Sequence, residues 1–190
     1  MWCAVKPSSG NYTMPRGSEP CVLSTPVVVT SSLAVASGSE DGSMAIISGN
    51  LNTQLFDVRG DLTSLTLTDL ILEKGKSDGW GGGFRVDSGR LHLIRSIVRL
   101  CEATLSGGAA SMTRGAVLTL EGSTLESNTA RGSYGGGITS GTGSKIQVRG
   151  GLKTSISINR ALIGGGVFLD QETPDHPGAS LEVSGAGTQL

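Results

Sequence analysis

The segment STLESNTARGSYGGGIT spans Ser123 to Thr139. Leu125 stands three residues before Asn128, Ala130 follows two residues after it, and Gly135, Gly136 and Gly137 precede Ile138. Consecutive glycines are costly to order and bring no side chains to pack. Such a segment is a phosphate-cradling loop, a flexible linker, or one unit of a repeat. The rest of the chain decides between these. Glycine clusters begin at Gly81, Gly107, Gly135 and Gly164, reading GGGF, GGAA, GGGI and GGGV, at spacings of 26, 28 and 29 residues. Ahead of them stand Gly75, Cys101, Asn128 and Asn159, each followed two residues later by a small residue: Ser77, Ala103, Ala130 and Ala161. Leu72, Val98, Leu125 and Ile156 sit three residues before that column. Alternating apolar pairs open each unit: Leu65 and Leu67, Leu91 and Leu93, Leu118 and Leu120, Ile146 and Val148, with a further copy starting at Leu181 and Val183.

Period-two alternation over a few residues, punctuated by Gly, Ser, Asn and Asp, is the signature of short strands and turns. No sustained apolar period of 3.6 residues competes with it. Three short strands in about 27 residues, repeated in phase, predict an all-β, right-handed parallel β-helix of roughly six or seven coils. One coil cannot bury its own inner face, so neighbours complete it. Leu72, Val98, Leu125 and Ile156 are expected to form an inward column. Asn128 over Asn159 is expected to begin an asparagine ladder that satisfies backbone groups at the turn. The glycines then turn the chain into the next strand; a phosphate loop instead needs them to lead into a helix N-terminus. The stretch from Val27 to Gly60 keeps the strand-and-turn texture without the Asn and Gly columns, as terminal coils do. The organisation expected is residues 1–26 as a cap or disordered lead and residues 27–190 as the β-helix, interrupted mid-repeat at Leu190.

Leu125-Glu126-Ser127-Asn128 with Gly135-Gly136-Gly137-Ile138, and Ile156-Ser157-Ile158-Asn159 with Gly164-Gly165-Gly166-Val167, resemble the paired FxxN and GGAI tetrapeptides of chlamydial polymorphic outer membrane protein repeats. Similar repeats occur in right-handed β-helix surface proteins of pectin-lyase-like architecture. The likeness covers roughly residues 27 to 190, with Leu, Val or Ile where that family has Phe. It implies a β-helix displayed at a cell surface, among relatives that include adhesins. The same architecture hosts polysaccharide lyases and glycosidases, which makes such an enzyme the alternative. The glycosidase tripeptide NTD is here Asn128-Thr129-Ala130, neither His92 nor His176 lies between glycines, and RIK is absent.

Composition narrows the function further. The chain has 190 residues, 16% charged, with a formal net charge of −1, which gives no electrostatic footprint for nucleic acid or an anionic membrane. No apolar run is long enough for a transmembrane segment, and the N-terminus lacks the apolar core of a secretory signal. Aromatics make up only 4%, a composition that predicts no stacking platforms for a sugar-binding cleft. Trp80 is expected to cover the core at a corner rather than to serve as such a platform. Cys3 and Cys21 either close the N-terminal segment with a disulfide or remain free thiols. Cys101, in the Asn column, is expected to be buried. His92, between Leu91 and Leu93, should face outward in a mixed file with Thr66, Thr119, Gln147 and Glu182; such a file does not make the flat threonine array of an ice- or mineral-binding surface.

The densest polar cluster is DQETPDHPG, from Asp170 to Gly178. It interrupts the repeat and should bulge from the solenoid. Asp170, Glu172 and Asp175 are the candidate ligands for Ca²⁺, the one cofactor the sequence raises, because hard cations take carboxylate oxygens. Asp57, Asp61, Asp69, Asp87, Arg85, Arg95 and Arg99 are scattered and show no convergent catalytic set; no catalytic residue is assigned. The expectation is a non-catalytic structural or adhesive segment of a larger surface or secreted repeat protein, with a protein or carbohydrate partner at a cell surface.

Overall fold

A computed structural model describes residues 10–14, 19–38, 42–150, 153–171 and 173–184. Among them there is no helix. The first coil consists of β1 (Gly10–Met14), β2 (Cys21–Val22) and β3 (Val27–Val29). The second holds β4 (Leu33–Ser37), β5 (Ala45–Ser48) and β6 (Phe56–Arg59). The third runs through β7 (Ser64–Thr68), β8 (Leu70–Glu73), β9 (Lys76–Ser77) and β10 (Phe84–Asp87). The fourth is β11 (Arg90–Ile94), β12 (Ile97–Arg99), β13 (Glu102–Ala103) and β14 (Ala110–Thr113). The fifth comprises β15 (Val117–Glu121), β16 (Thr124–Glu126), β17 (Thr129–Ala130) and β18 (Ile138–Ser140). The sixth has β19 (Lys145–Arg149), β20 (Ser155–Ser157) and β21 (Val167–Leu169), and β22 (Ser180–Ser184) opens a seventh. Pairing therefore begins ahead of Val27, with β1 on β4 and β2 on β5.

Strands one coil apart pair in parallel and build three long sheets: β1-β4-β7-β11-β15-β19-β22 first, β2-β5-β8-β12-β16-β20 second, and β3-β6-β10-β14-β18-β21 third. This is the right-handed parallel β-helix expected, with six coils in the stack. The middle coils differ from a three-strand unit. β9, β13 and β17 form a narrow fourth sheet that stacks Ser77, Ala103 and Ala130. These small residues let the chain pass the corner close to the core.

Alternation sets the interior. Leu65, Leu91, Leu118 and Ile146 stack in register and are at most 1% exposed. Leu72, Val98, Leu125 and Ile156 form the predicted column in the second sheet. Phe56 and Phe84 stack within the third sheet, centroids 5.7 Å apart. At the far end the column loosens: Val148 is fully buried, while Val183 is 43% exposed.

Corners carry the polar burden. Lys74, Leu100, Ser127 and Ile158 all adopt φ between 53 and 56°. Each left-handed residue turns its own side chain out and aims the next residue inward. The inward residues are Gly75, Cys101, Asn128 and Asn159, and the last three form the ladder. Asn159 Oδ1 accepts the Asn128 N–H at 2.9 Å, and Asn128 Oδ1 accepts the Cys101 N–H at 3.0 Å. The Cys101 thiol is a third rung, accepting the Gly75 N–H at 3.4 Å and donating to Arg99 O. Asn128 Nδ2 donates to Val98 O, and Asn159 Nδ2 donates to Leu125 O. The preceding corner has a second ladder that the sequence reading missed. Ser96 Oγ accepts the Leu70 N–H at 3.2 Å, and Ser123 Oγ accepts the Ser96 N–H at 3.1 Å. Both serines are fully buried. Their signal is a hydroxyl in constant repeat phase, one residue before Ile97 and Thr124.

Each glycine of a cluster has its own reason. Gly81, Gly107, Gly135 and Gly164 take φ of 60 to 71°. A Cβ on the second glycine would overlap backbone of the next coil: Gly136 faces Gly165 O and the Arg160 backbone. The third position is as tight where another coil follows, a Cβ on Gly137 coming within 2.5 Å of Gly166 O and one on Gly83 within 2.7 Å of Ala109 O, although Ala109 itself occupies it in the fourth coil; the sixth coil is the exception. At Gly166 a Cβ would meet only Ile156 Cγ2, at 3.7 Å.

Gly136→Ala should therefore cost about 1–3 kcal/mol through overpacking, whereas Gly166→Ala should stay within about 0.5 kcal/mol of the parent. Urea-unfolding midpoints of the two variants test this contrast. Burial pushes the Cys101 thiol from an ordinary 9.0 up to about 12. The neutral thiol thus supports folding fully below pH 9.0, and that support is lost as pH rises through the interval to about 12, because the unfolded chain sheds the proton first. Stability measured across this interval should fall less steeply in Cys101→Ala, and a thiol reagent should label native Cys101 only on unfolding.

Candidate functional site

The corner that carries the glycine clusters also shapes the outer surface. The residue before each cluster is Trp80, Ser106, Tyr134 or Ile163. Trp80 bridges to Ser106 and Tyr134 to Ile163 in parallel, and the Tyr134 N–H donates to Ser106 Oγ at 3.4 Å. These four positions make one file along the rod. A left-handed glycine follows each, so the side chain ahead of it is directed away from the core. Trp80 is 51% exposed and Tyr134 38%. Trp80 therefore does not cover the core, contrary to the expectation from sequence.

Beside this file runs the outward file of the third sheet. Val28, Asp57, Arg85, Ser111, Thr139 and Phe168 stand in register on successive coils. Phe168 stacks on Tyr134, with centroids 4.3 Å apart and planes at 26°. Thr139 Oγ1 donates to Tyr134 O at 2.8 Å and holds that corner in place. Between the two files lies a groove of about 270 Å³, lined by Trp80, Ser111, Tyr134, Thr139, Phe168 and Asp170 among others. The chain has seven aromatic residues, and three of them meet here. The low aromatic content predicted no stacking platform, and the fold concentrates what little there is on one face.

Further along the third sheet the surface turns ionic. Asp57 is 6% exposed and pairs with Arg59. Both hydrogen bonds from Arg59 reach Asp57 Oδ2, and Oδ1 has no partner. Asp87 pairs with Arg114 and accepts from Thr113 Oγ1 at 3.1 Å. The hydrogen bond to Asp57 raises the Arg59 pKa.

Asp69, Arg95 and Arg99 are engaged between coils. Arg95 makes a bidentate pair with Asp69, at 2.7 and 2.6 Å, which raises its pKa. Arg99 pairs with Glu73 at 2.8 Å, and Arg131 with Glu102 at 2.7 Å. In each pair, including Arg114–Asp87, the arginine belongs to the coil after the acid. His92 faces outward between Thr66 and Thr119, with Nε2 3.3 Å from Glu121 Oε2. A second concavity, of about 630 Å³, lies at the narrow fourth sheet and is lined by Glu102, Thr129, Arg131, Arg160 and Leu162 among others. The Arg131–Glu102 pair occupies its wall.

The DQETPDHPG loop projects from the corner between β21 and β22. Asp170 Oδ1 accepts the Gln171 N–H at 3.0 Å. Thr173 and His176 exchange backbone hydrogen bonds of 3.0 and 3.1 Å, closing a turn over Pro174 and Asp175. Pro177 O accepts the Gly143 N–H and ties the loop to the fifth-to-sixth coil corner. Asp170, Asp175 and His176 are exposed, and Glu172 lies outside the described residues. Among the described residues no group of three or more His, Cys, Asp or Glu side chains is placed to hold a metal ion. Nor is any helix long and apolar enough to cross a membrane.

No protein family, curated protein or solved structure matches the chain.

Trp80 and Phe84 sit four residues apart on opposite sides of the wall. Trp80→Ala should shift stability by no more than about 0.5 kcal/mol, and Phe84→Ala, at a fully buried position, should cost about 3–5 kcal/mol. Thermal unfolding followed by circular dichroism separates the two.

Proposed function

We propose that the chain is a non-catalytic β-helix segment of a larger surface or secreted repeat protein, serving structural or adhesive display. The observation that carries this reading is the fate of the outward charges. Arg95, Arg99, Arg114 and Arg131 each reach back one coil to an acid. A catalytic site needs acid and base groups converging on one reacting atom; these groups lie along the rod and join coil to coil. The tetrapeptide resemblance to chlamydial polymorphic outer membrane protein repeats supports the same reading. Cys21 is disulfide-bonded, which fits an oxidising, extracellular compartment.

The test is turnover. Incubation with polygalacturonate, xylan, β-glucan and chitin oligomers should release no new reducing ends and no unsaturated products above a blank. Release that disappears in Asp175→Ala would replace this reading with that of a polysaccharide lyase or glycosidase.

A further inference from the structure

We propose that the groove between Trp80, Tyr134 and Phe168 is a binding track for a neutral, linear, β-linked polysaccharide lying parallel to the rod axis. The inference rests on the non-catalytic reading above and gives it a ligand. The first argument is the exposure of the aromatics. Trp80 is 51% exposed and Tyr134 38%, both on the outer face, where their rings contribute nothing to the core. Aromatic rings with one wet side are suited to partners that are apolar on one face and polar at the edge, and a pyranose ring is such a partner.

Spacing is the second argument. Trp80 and Tyr134 stand two coils apart in one file, or about 10 Å at the ordinary interstrand spacing. Phe168, stacked on Tyr134, continues the platform into the next coil. A compact ligand would reach one platform only. A β-linked chain with a two-fold twist presents the same ring face at every second unit, a repeat close to two coil rises.

Polar groups supply the third. Ser111 and Thr139 lie on the groove floor and Asp170 on its rim.

Charge selects among elongated ligands. Along this strip Asp57, Asp87 and Asp170 balance Arg59, Arg85 and Arg114. Nucleic acid and acidic polysaccharides need a net excess of Lys and Arg, which this strip lacks. A neutral chain matches it.

Native gel electrophoresis of the whole chain through hydroxyethyl cellulose, glucomannan or glycol chitin tests the track, with polygalacturonate as the acidic comparison. Retardation is expected in at least one neutral polymer and not in polygalacturonate. Trp80→Ala and Tyr134→Ala should each weaken retention about two- to tenfold, the worth of one aromatic stacking contact, while keeping the parent circular dichroism. The chain contains two tryptophans. In a Trp2→Phe background the emission of Trp80 should therefore shift to the blue on adding cellohexaose or chitohexaose, a readout that needs no destabilising variant. Mobility unchanged in every neutral polymer, retention equal to the parent's in both aromatic variants, or stronger retention by polygalacturonate or DNA would each overturn the proposal. So would concentration-dependent self-association abolished by Trp80→Ala, which would make the groove a contact between copies. Chromatography of the recovered oligosaccharide keeps the two readings apart. A shortened chain would overturn the non-catalytic reading and leave the track standing, whereas an intact, unretained chain would do the reverse.

Discussion

The N–H groups of Gly75, Cys101 and Asn128 point along the rod at a corner where no strand continues to receive them. Each finds an acceptor on a side chain one coil further on: Cys101 Sγ, Asn128 Oδ1 and Asn159 Oδ1. Water is excluded there, and an orphaned buried amide costs roughly 1–3 kcal/mol. The requirement recurs through the third, fourth and fifth coils, so the residue supplying the acceptor must recur in phase there. The remaining features follow from keeping that phase. A left-handed residue precedes each rung, small residues follow it, and glycines absorb the next turn where neighbouring backbones come too close for a Cβ.

Ion pairs on the outside reinforce the same register. A slip of one residue between parallel strands would bring each apolar column to the surface and part Arg95 from Asp69 and Arg99 from Glu73. Exposed pairs are individually weak, about 0–1 kcal/mol. Their value lies in recurrence: Arg95, Arg99, Arg114 and Arg131 each reach back one coil to an acid, so that a misaligned coil loses the inward column and these outward pairs together.

Inward features were legible because burial imposes chemical similarity on positions in the same phase. Leu72, Val98, Leu125 and Ile156 differ in shape but not in kind, and Asn128 with Asn159 repeats outright. The serine ladder was hidden by composition: Ser96 and Ser123 sit among many serines, and only their phase marks them. The groove was hidden by distance. Trp80, Tyr134 and Phe168 are far apart in the chain and meet only because the coils wrap one below another. An average aromatic content carries no information about such convergence. For the acidic loop, alternation and repeat phase predict a departure from the stack but not where Asp170 and Asp175 come to rest.

The bonds that join one coil to the next all run along the rod, in three long sheets, the narrow fourth sheet and the corner ladders. A pull applied to both ends of the rod together would load these bonds in parallel, and they would yield as a group. A pull applied to a single strand at an end would load them one after another, and the coil would peel. A rod of this construction resists tension spread over a whole coil far better than tension carried by one thread. The way force enters the stack therefore matters as much as the number of bonds within it.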